Sequence, residues 1–237
     1  MSINPVLRPL GEGPARRPAG DVAAAQRRRM LAAMVAAVAD KGYAAVAVTD
    51  VVGRARVSRA TFYEQFTDKN DCFLAAFHAC AENLTATTRD GLTGDLTPRQ
   101  RVRATFDSYL GGLAAFPEGA RVCLVEAHAA GPTAAEARRE IQQPFAALLR
   151  DLHEGLRAAG EPVRPLADFD YEALVGAFSS IVTNRVAAGA TADLPALADR
   201  FETFLLAHFG LDPMPDAQRP DARRPDARRP DARRPDA

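Results

Sequence analysis

The chain contains 237 residues, of which 47% are hydrophobic and 25% are charged, and its formal net charge is zero. This length and composition predict a globular protein of one or two domains with a sizeable buried core. Its apolar runs are shorter than the roughly 18 residues that a membrane-spanning helix needs. Its Pro-rich start lacks the apolar segment of a secretory signal. We therefore expect neither a membrane protein nor an exported one.

The charges are unevenly distributed along the chain. Residues 14–69 contain ten Arg or Lys against five Asp or Glu, a net charge of +5. Residues 70–211 contain 12 basic against 18 acidic residues, a net charge of −6. A basic segment on an acidic body would orient the molecule on a polyanion such as DNA.

The three cysteines are at positions 72, 80 and 123 and form no C-x-x-C pair. This pattern favours reduced thiols in a cytoplasm over a disulfide framework or a zinc site. We predict no metal and no cofactor. Cys72 and Cys80 lie two turns apart on one helix face, which permits redox sensing, although ordinary buried thiols are the commoner explanation.

In chain order, residues 1–20 are predicted to be a disordered arm. Apolar residues then recur at helical spacing until the chain reaches Gly42, a good helix stop. Three polar residues can cap the helices that follow: Thr49, Ser58 and Asp68. The helix that Asp68 begins is the longest of these.

Residues 85–211 keep the helical pattern and contain no convincing period-2 segment. Five more helices are predicted, over about 98–114, 118–130, 134–159, 168–188 and 195–209. Pro144 should bend or split the third of these, because proline removes a backbone donor. Residues 212–237 repeat the unit Pro-Asp-Ala-Arg-Arg and are predicted to be a disordered tail, either solvated or adding weak DNA affinity. The prediction is an all-α fold with about nine helices.

The stretch 48–67 has the pattern of two short helices joined by a tight turn, a helix-turn-helix. Its second helix begins Ser-Arg-Ala-Thr at 58–61 and presents hydroxyls, a guanidinium and a phenol over little more than one turn. Such a helix end suits the major groove of DNA, where base edges accept forked donors and phosphates accept hydroxyl donors.

Roles follow from these residue types. We predict base-edge contacts from Arg59 and Thr61, with Arg59 as a forked donor to guanine. Three further side chains are predicted to contact phosphates: Thr49, Tyr63 and Lys69. Ser58 has two open interpretations, an N-cap and a phosphate contact. The arginines at 27–29 are open between DNA contacts and a solvated face, and those at 16–17 between a minor-groove contact and a solvated arm.

From about Arg27 to Phe77 the chain resembles the DNA-binding domain of the tetracycline-repressor (TetR) family of bacterial regulators. The resemblance rests on the order and spacing of matching residues: Thr49, Val57-Ser58, Thr61-Phe62-Tyr63-x-x-Phe66 and Lys69. The sequence departs from the family at Arg56, because the family commonly has Gly at this turn. A left-handed Arg there would cost about 1–2 kcal/mol.

The resemblance implies a three-helix helix-turn-helix DNA-binding domain, placed at residues 21–84, and a larger helical ligand-binding and dimerisation domain at residues 85–211. It also implies a homodimer on a near-palindromic double-stranded operator, a small-molecule effector and a location on the nucleoid in a bacterial cytoplasm. Candidate cavity residues, which plain core packing also explains, are Phe106, Tyr109, Phe116, Cys123, His128, Phe145 and Phe178.

The last two helices carry long apolar stripes and are the predicted dimer interface, unless those stripes pack only within one subunit. The residues chosen for this interface are Leu174, Phe178, Ile181, Val182, Phe201, Phe204 and Leu205. The leading functional prediction is a sequence-specific transcriptional regulator, a repressor that a small molecule releases from its operator. The alternatives are a nucleoid-type binder with little sequence preference and, with no catalytic motif in its favour, a helical enzyme.

Overall fold

The computed structural model describes residues 19–212, which form nine α-helices, three short 3₁₀ segments and no strand. The predicted all-α fold is confirmed. The helices are α1 Ala19–Lys41, α2 Val48–Ala55, α3 Arg59–Gln65, α4 Lys69–Asp90, α5 Pro98–Ala115, α6 Pro117–Leu124, α7 Pro132–Ala158, α8 Asp168–Ala187 and α9 Ala198–Phe209. The 3₁₀ segments are Tyr43–Ala45, Glu126–His128 and Thr191–Leu197.

The predicted terminal segments lie almost wholly outside the described residues. Positions 1–18, which include Arg16 and Arg17, and positions 213–237 of the repeat tail are outside that range. Residues 19 and 20, predicted to belong to the arm, are the first two residues of α1.

Side-chain caps fix the starts of several helices. Ser58 accepts a hydrogen bond from the Thr61 amide at 3.0 Å, and Asp68 accepts one from the Asp71 amide at 2.8 Å. Each cap satisfies a backbone donor that the first helical turn leaves without an intrahelical partner. The predicted N-caps of α3 and α4 are therefore confirmed.

Thr49 is not the cap of α2, because the helix begins at Val48 and Ala47 is the cap residue. The Asp50 carboxylate accepts the Ala47 amide at 2.7 Å and so draws the start back by two residues. An alanine has no side-chain acceptor, so this bond is only half of a capping box. Thr49 instead lies exposed in the first turn of α2.

Three other helix boundaries differ from prediction. The short central helix ends at Leu124 and continues as a 3₁₀ turn. α7 runs unbroken through Pro144, whose fixed φ is helical and whose missing donor is tolerated on the exposed side of the helix. The last helix begins at Ala198, because the preceding residues, including Pro195, form a 3₁₀ segment.

Two hydrophobic cores lie side by side. The head, which we define as α1–α4, surrounds one core that includes Met30, Met34 and Phe62. The body, α5–α9, surrounds the other, which includes Leu110 and Leu205. None of the helices in the described part of the chain is long and apolar enough to cross a bilayer.

Helix α6 contributes to both cores. Val122 and, just beyond the helix, Ala127 are fully buried in the head core, whereas Ala120 and Leu124 pack in the body core. Helix α4 also crosses the predicted domain boundary at residues 84–85, since it continues to Asp90. Helix α6 thus belongs to both cores, and α4 extends beyond the predicted boundary between the head and the body.

Candidate DNA-binding surface and ligand cavity

The turn between α2 and α3 is closed by a left-handed arginine. Arg56 has φ 53° and ψ 51°, and it is the one non-glycine residue with positive φ in residues 19–212. The Val57 amide donates to the Val52 carbonyl at 3.1 Å and the Arg56 amide to the Gly53 carbonyl at 3.4 Å. These two bonds form a Schellman motif. The predicted left-handed arginine is therefore observed, and it sets where α3 starts.

Helix α3 buries one face and exposes the other. Phe62 is fully buried and Phe66 nearly so, as predicted for core residues. On the opposite face Arg59 is exposed, and the Tyr63 side chain is 50% exposed. No hydrogen-bond partner for the Tyr63 hydroxyl lies within the described range, so the helix presents a guanidinium and a phenol to solvent.

The predicted hydroxyl contacts lie around the same helix start. Ser58 is the N-cap of α3, and its hydroxyl also lies 2.9 Å from that of Thr61. Thr61 is half-buried, whereas Ser58 and Thr49 are exposed. The N-cap interpretation of Ser58 is thus observed, and phosphate contacts from Ser58 and Thr49 stay predictions.

Lys69 has an internal role. Its Nζ donates to the Tyr43 carbonyl at 3.1 Å and lies 4.3 Å from the centre of the Tyr43 ring. These contacts attach the start of α4 to the 3₁₀ turn between α1 and α2. An ammonium has three donors, so a phosphate contact from Lys69 also stays a prediction.

Two exposed arginines carry the positive charge beside α3. Lys41 and Arg54 are neutralised by aspartates at 2.6 and 2.5 Å. Arg56 and Arg59 are exposed, and no carboxylate with a described position forms an ion pair with either. Sequence reasoning treated Arg56 only as a strained turn residue and missed it as a cation flanking the helix; its exposure was the missing signal.

Arg27 stabilises the far end of α3. Its guanidinium donates to the carbonyl of Gln65, the last residue of the helix, at 3.2 Å and lies 4.5 Å from the centre of the Phe66 ring. A cation at a helix C-terminus is favourable. Of the three arginines left open at 27–29, this one is therefore structural, while Arg29 is exposed.

An apolar cavity of about 90 Å³, open to solvent at its mouth, lies in the body. Its walls come from α4–α8. Five of the seven predicted residues line it: Phe106, Tyr109, Cys123, Phe145 and Phe178. Eleven lining residues were not predicted: Phe77, Ala81, Leu84, Thr88, Thr105, Leu124, Arg138, Leu148, Leu149, Val175 and Ser179. Six of them are aliphatic, and aliphatic side chains at helical spacing look like ordinary core.

Phe116 and His128 do not line the cavity. Phe116 ends α5 and packs against the head core. His128 is exposed, and its Nε2 contacts the guanidinium of Arg138, which does line the cavity. The 3₁₀ turn that follows α6 carries His128 outward, whereas the prediction had extended the helix to Ala130.

The cysteines are buried or half-buried free thiols. Burial raises the pKa of Cys72 to about 12. A hydrogen bond with Cys80, followed by burial, raises the pKa of Cys123 well above its usual value. Cys80 therefore neighbours Cys123, and thiols held protonated are poor nucleophiles.

One carboxylate links the cavity wall to the head. Cys123 and Leu124 at the end of α6 line the cavity. Two residues on, Glu126 is 7% exposed and accepts the backbone amide of Tyr43 at 2.9 Å. Its other oxygen lies 3.0 Å from the guanidinium of Arg121. Glu126 thus connects the segment after α6 to the turn that Lys69 also contacts.

The predicted dimer stripe on α8 and α9 faces inward. Five of its residues are buried in the body core: Leu174, Phe178, Val182, Phe201 and Leu205. The amphipathic pattern located the apolar face, but the subunit itself buries that face. Ile181 and Phe204 are 44% and 52% exposed, and Phe169, which the prediction omitted, is 76% exposed. These three are the apolar side chains that α8 and α9 leave uncovered.

Among the described residues, no group of three or more His, Cys, Asp or Glu side chains comes close enough together to hold a metal ion. The two features described above are an exposed cationic helix edge and an apolar cavity.

Residues 30–76 match the sequence profile described as bacterial regulatory proteins of the tetR family. Over 84 residues, or 35% of its length, the chain is 30% identical to the HTH-type transcriptional activator FasR of Mycolicibacterium smegmatis. That alignment spans 38% of FasR.

The fold is similar to those of two solved regulators. The fatty acid degradation regulator FadR from Bacillus halodurans matches with a TM-score of 0.68 and 21% identity, over 76% of this chain and 94% of that one. FadR from Bacillus subtilis, solved in complex with stearoyl-CoA, matches with a TM-score of 0.67 and 19% identity, over 76% and 97% of the two chains. At these identities the likeness shows a common fold.

Proposed function

We propose that the chain, whose residues 30–76 match the tetR family profile, is a sequence-specific DNA-binding transcriptional regulator of the TetR family. The observation that carries this proposal is the outward edge of α3. Arg59 and Tyr63 face solvent there. A helix edge of this kind can enter the major groove, with the guanidinium on a guanine and the phenol on a phosphate.

A second copy of the chain supplies the second recognition helix. One α3 has two turns and a small footprint, so a two-fold dimer on a near-palindromic operator gives the affinity that one head lacks. The exposed apolar side chains on α8 and α9, including Ile181 and Phe204, support this arrangement. The two copies of α3 then lie about one helical turn of DNA apart.

The cavity makes the regulator responsive to a small molecule. A ligand between α4 and α8 stabilises the body conformation that accommodates it, and the Glu126 contact carries the change to the Tyr43 turn. Ligand binding would then favour a dimer whose heads no longer match the operator, which is a shift of population. We propose repression that the ligand relieves, and the stearoyl-CoA complex of a similarly folded regulator is in keeping with an apolar ligand.

Two other functions explain fewer of the observed features. A nucleoid-type binder with little sequence preference needs basic charge but has no use for the cavity. An enzyme needs a reactive constellation, and the polar side chains of the cavity wall are one protonated thiol, one phenol, one guanidinium and three hydroxyls. We propose that the protein has no catalytic activity and acts on the nucleoid in the bacterial cytoplasm.

Selection of bound duplexes from a random pool tests the proposal. We expect one enriched, near-palindromic sequence with half-sites about one helical turn apart. Binding that depended on salt but was equal for all duplexes would establish the nucleoid-type alternative instead.

Variants then test the surface. Arg59→Ala should weaken binding to the selected duplex about tenfold or more and relax the preference at one base pair, because a bidentate base contact is worth about 1–3 kcal/mol. Tyr63→Ala should weaken binding with little change in preference. Arg139→Ala, an exposed arginine on α7, is the matched control. Unchanged affinity in both head variants contradicts the assignment.

A further inference from the structure

Building on the proposed function, we propose that the cavity binds an apolar molecule carrying one carboxylate, and that Arg138 is the cation with which this carboxylate pairs. Arg138 is half-buried on α7 and contributes to the cavity wall. The rest of that wall is almost entirely aromatic and aliphatic. A guanidinium at the edge of such a space is the group that selects an anion.

Arg138 differs from every other half-buried arginine of the body. Five arginines in α5–α9 are half-buried. Four of them pair with carboxylates: Arg99, Arg103, Arg121 and Arg150. For Arg138, no carboxylate among the residues with described positions lies within salt-bridge distance. Burial without such compensation lowers the pKa of Arg138.

The contacts that Arg138 does make hold its guanidinium in place. Nη2 donates to the Ser179 hydroxyl at 3.3 Å, and Nη1 contacts the His128 Nε2. The His128 Nδ1 lies 3.3 Å from the Val125 carbonyl. A neutral imidazole satisfies both contacts, donating from Nδ1 and accepting at Nε2. Both partners are then neutral, so the described residues provide no counter-ion for the positive charge of the guanidinium.

Tyr109 provides a second donor on the same wall. Both Tyr109 and Arg138 line the cavity. Burial raises the pKa of Tyr109, so its hydroxyl keeps its proton. Among the side chains with described positions, that hydroxyl has no hydrogen-bond partner. An entering carboxylate therefore meets a fixed guanidinium and a phenolic donor, while its apolar part contacts side chains such as Phe106 and Leu148.

The chemistry favours a free acid over a neutral molecule of the same shape. An uncharged ligand leaves the Arg138 charge uncompensated in a poorly solvated site, which is unfavourable. A carboxylate accepts two parallel hydrogen bonds from a guanidinium and neutralises it. A thioester of the same acid has no charge at that position.

Direct binding separates these ligands. Labelled decanoate and labelled decanol, which share a ten-carbon chain and differ at the polar end, are each dialysed to equilibrium against the full-length protein at pH 7.5. We expect decanoate to bind about tenfold or more tightly than decanol, since hydrogen bonds to charged groups are the strong ones. Arg138→Gln should remove this preference and leave decanol binding within about twofold of wild type.

Further variants keep the test decisive. Tyr109→Phe should weaken decanoate severalfold without affecting decanol. Arg139→Gln removes the exposed neighbouring arginine and should change neither ligand. Circular dichroism melts of each variant identify any that fail to fold, and Arg138→Lys, which keeps the charge but loses the fork, should retain part of the preference.

Three results would overturn the inference: no binding of decanoate, equal binding of decanoate and decanol, or a preference that survives in Arg138→Gln. The outcome is independent of DNA binding, which is measured separately on the selected duplex. A protein that binds its operator but not decanoate retains the proposed regulatory function and loses only this ligand. A protein that binds decanoate but no duplex shows the reverse.

Discussion

At the residue scale, Arg56 combines an unfavourable backbone with a useful charge. Its left-handed conformation is one that glycine adopts freely and arginine does not. Its side chain is nevertheless exposed beside the start of α3. An arginine at this turn is explained if its guanidinium contacts a phosphate, because the contact with DNA then offsets the backbone strain.

Replacing Arg56 separates these two effects. Arg56→Gly should raise the free energy of unfolding by up to about 1 kcal/mol, because the strain of a left-handed side chain disappears. It should also weaken DNA binding equally for all sequences. The plot of log affinity against log salt concentration should become less steep by about 1. Urea unfolding and filter binding at several salt concentrations measure the two. An unchanged salt slope would show that Arg56 does not reach the DNA.

The protonation of His153 should affect the stability of the fold. It is 5% exposed, donates from Nε2 to the Arg164 carbonyl at 3.0 Å, and its Nδ1 lies 2.9 Å from the Tyr171 hydroxyl. Burial lowers the pKa of this imidazole below its usual value of about 6.5. Nearby Arg157 adds to the same effect.

Stability should consequently fall with acidification. The unfolded chain binds a proton at His153 more readily than the folded chain, so the free energy of unfolding rises with pH through this range. The stabilisation is present above about pH 6.5 and is lost as the pH falls towards the lower folded pKa. Urea unfolding at pH 7.5 and 5.5 should show this loss, and His153→Gln should reduce the difference between the two. An equal pH difference in wild type and variant would contradict the assignment.

At the element scale, α6 and the turn that follows it connect the two parts of the molecule. One end of this segment lines the cavity, and Glu126 holds the Tyr43 amide two residues later. Gly42, with φ 78°, lets the chain pass close to the Glu126 carboxylate, 3.4 Å from where a Cβ would lie. In addition to the packing of α6 in both cores, one buried acceptor therefore connects the cavity side of the molecule to the Tyr43 turn.

Removing that acceptor should uncouple ligand from DNA. Glu126→Ala leaves a backbone amide and Arg121 without their partner, so we expect a stability loss of about 1–3 kcal/mol. A ligand that releases wild-type protein from DNA should bind the variant cavity but release it less effectively. Glu126→Gln is the matched control, because an amide oxygen can still accept from Tyr43. Equal ligand-induced release in wild type and Glu126→Ala would place the coupling elsewhere.

Local sequence patterns predicted the helices, caps and turns better than they predicted the tertiary contacts of these elements. Ser58, Asp68 and Arg56 act within a few residues of themselves, so their roles as caps and turn were visible in the sequence. Glu126 and Arg138 act across elements distant in sequence, and nothing near them in the chain signals a tertiary partner. Aromatic residues pointed to the cavity because large rings must pack somewhere, but the aliphatic half of the wall carried no such signal.

At the scale of the whole molecule, α8 and α9 show how amphipathic patterning can mislead. Their strongest apolar stripe serves the subunit, with Leu174 and Leu205 buried in its core. The surface left for a second copy is the weaker, outward stripe that includes Ile181 and Phe204. Periodicity identifies which face is apolar but not whether the same chain already covers it.

Charges on the outward stripe should dissociate the dimer. Phe204→Glu and Ile181→Glu each place an unpaired carboxylate in an apolar contact, which is strongly unfavourable. We expect monomers by sedimentation at micromolar concentration, with operator affinity reduced by about tenfold or more and helix content unchanged. Val22→Glu, another exposed apolar residue but on α1, should leave the dimer intact. A dimer that survives both α8 and α9 variants must use another surface.

The shared wall of the two cores also limits how this protein can be recombined. Val122 and Ala127 complete the packing around α1 and α4, although they lie far downstream in the chain. A hybrid regulator joined after α4 would bring a foreign helix against those surfaces and leave either gaps or clashes. The smallest part of the chain that can be exchanged as a DNA-binding head is therefore discontinuous in sequence. A hybrid protein that is to keep the operator specificity of this head must also include the segment from Pro117 to Ala137.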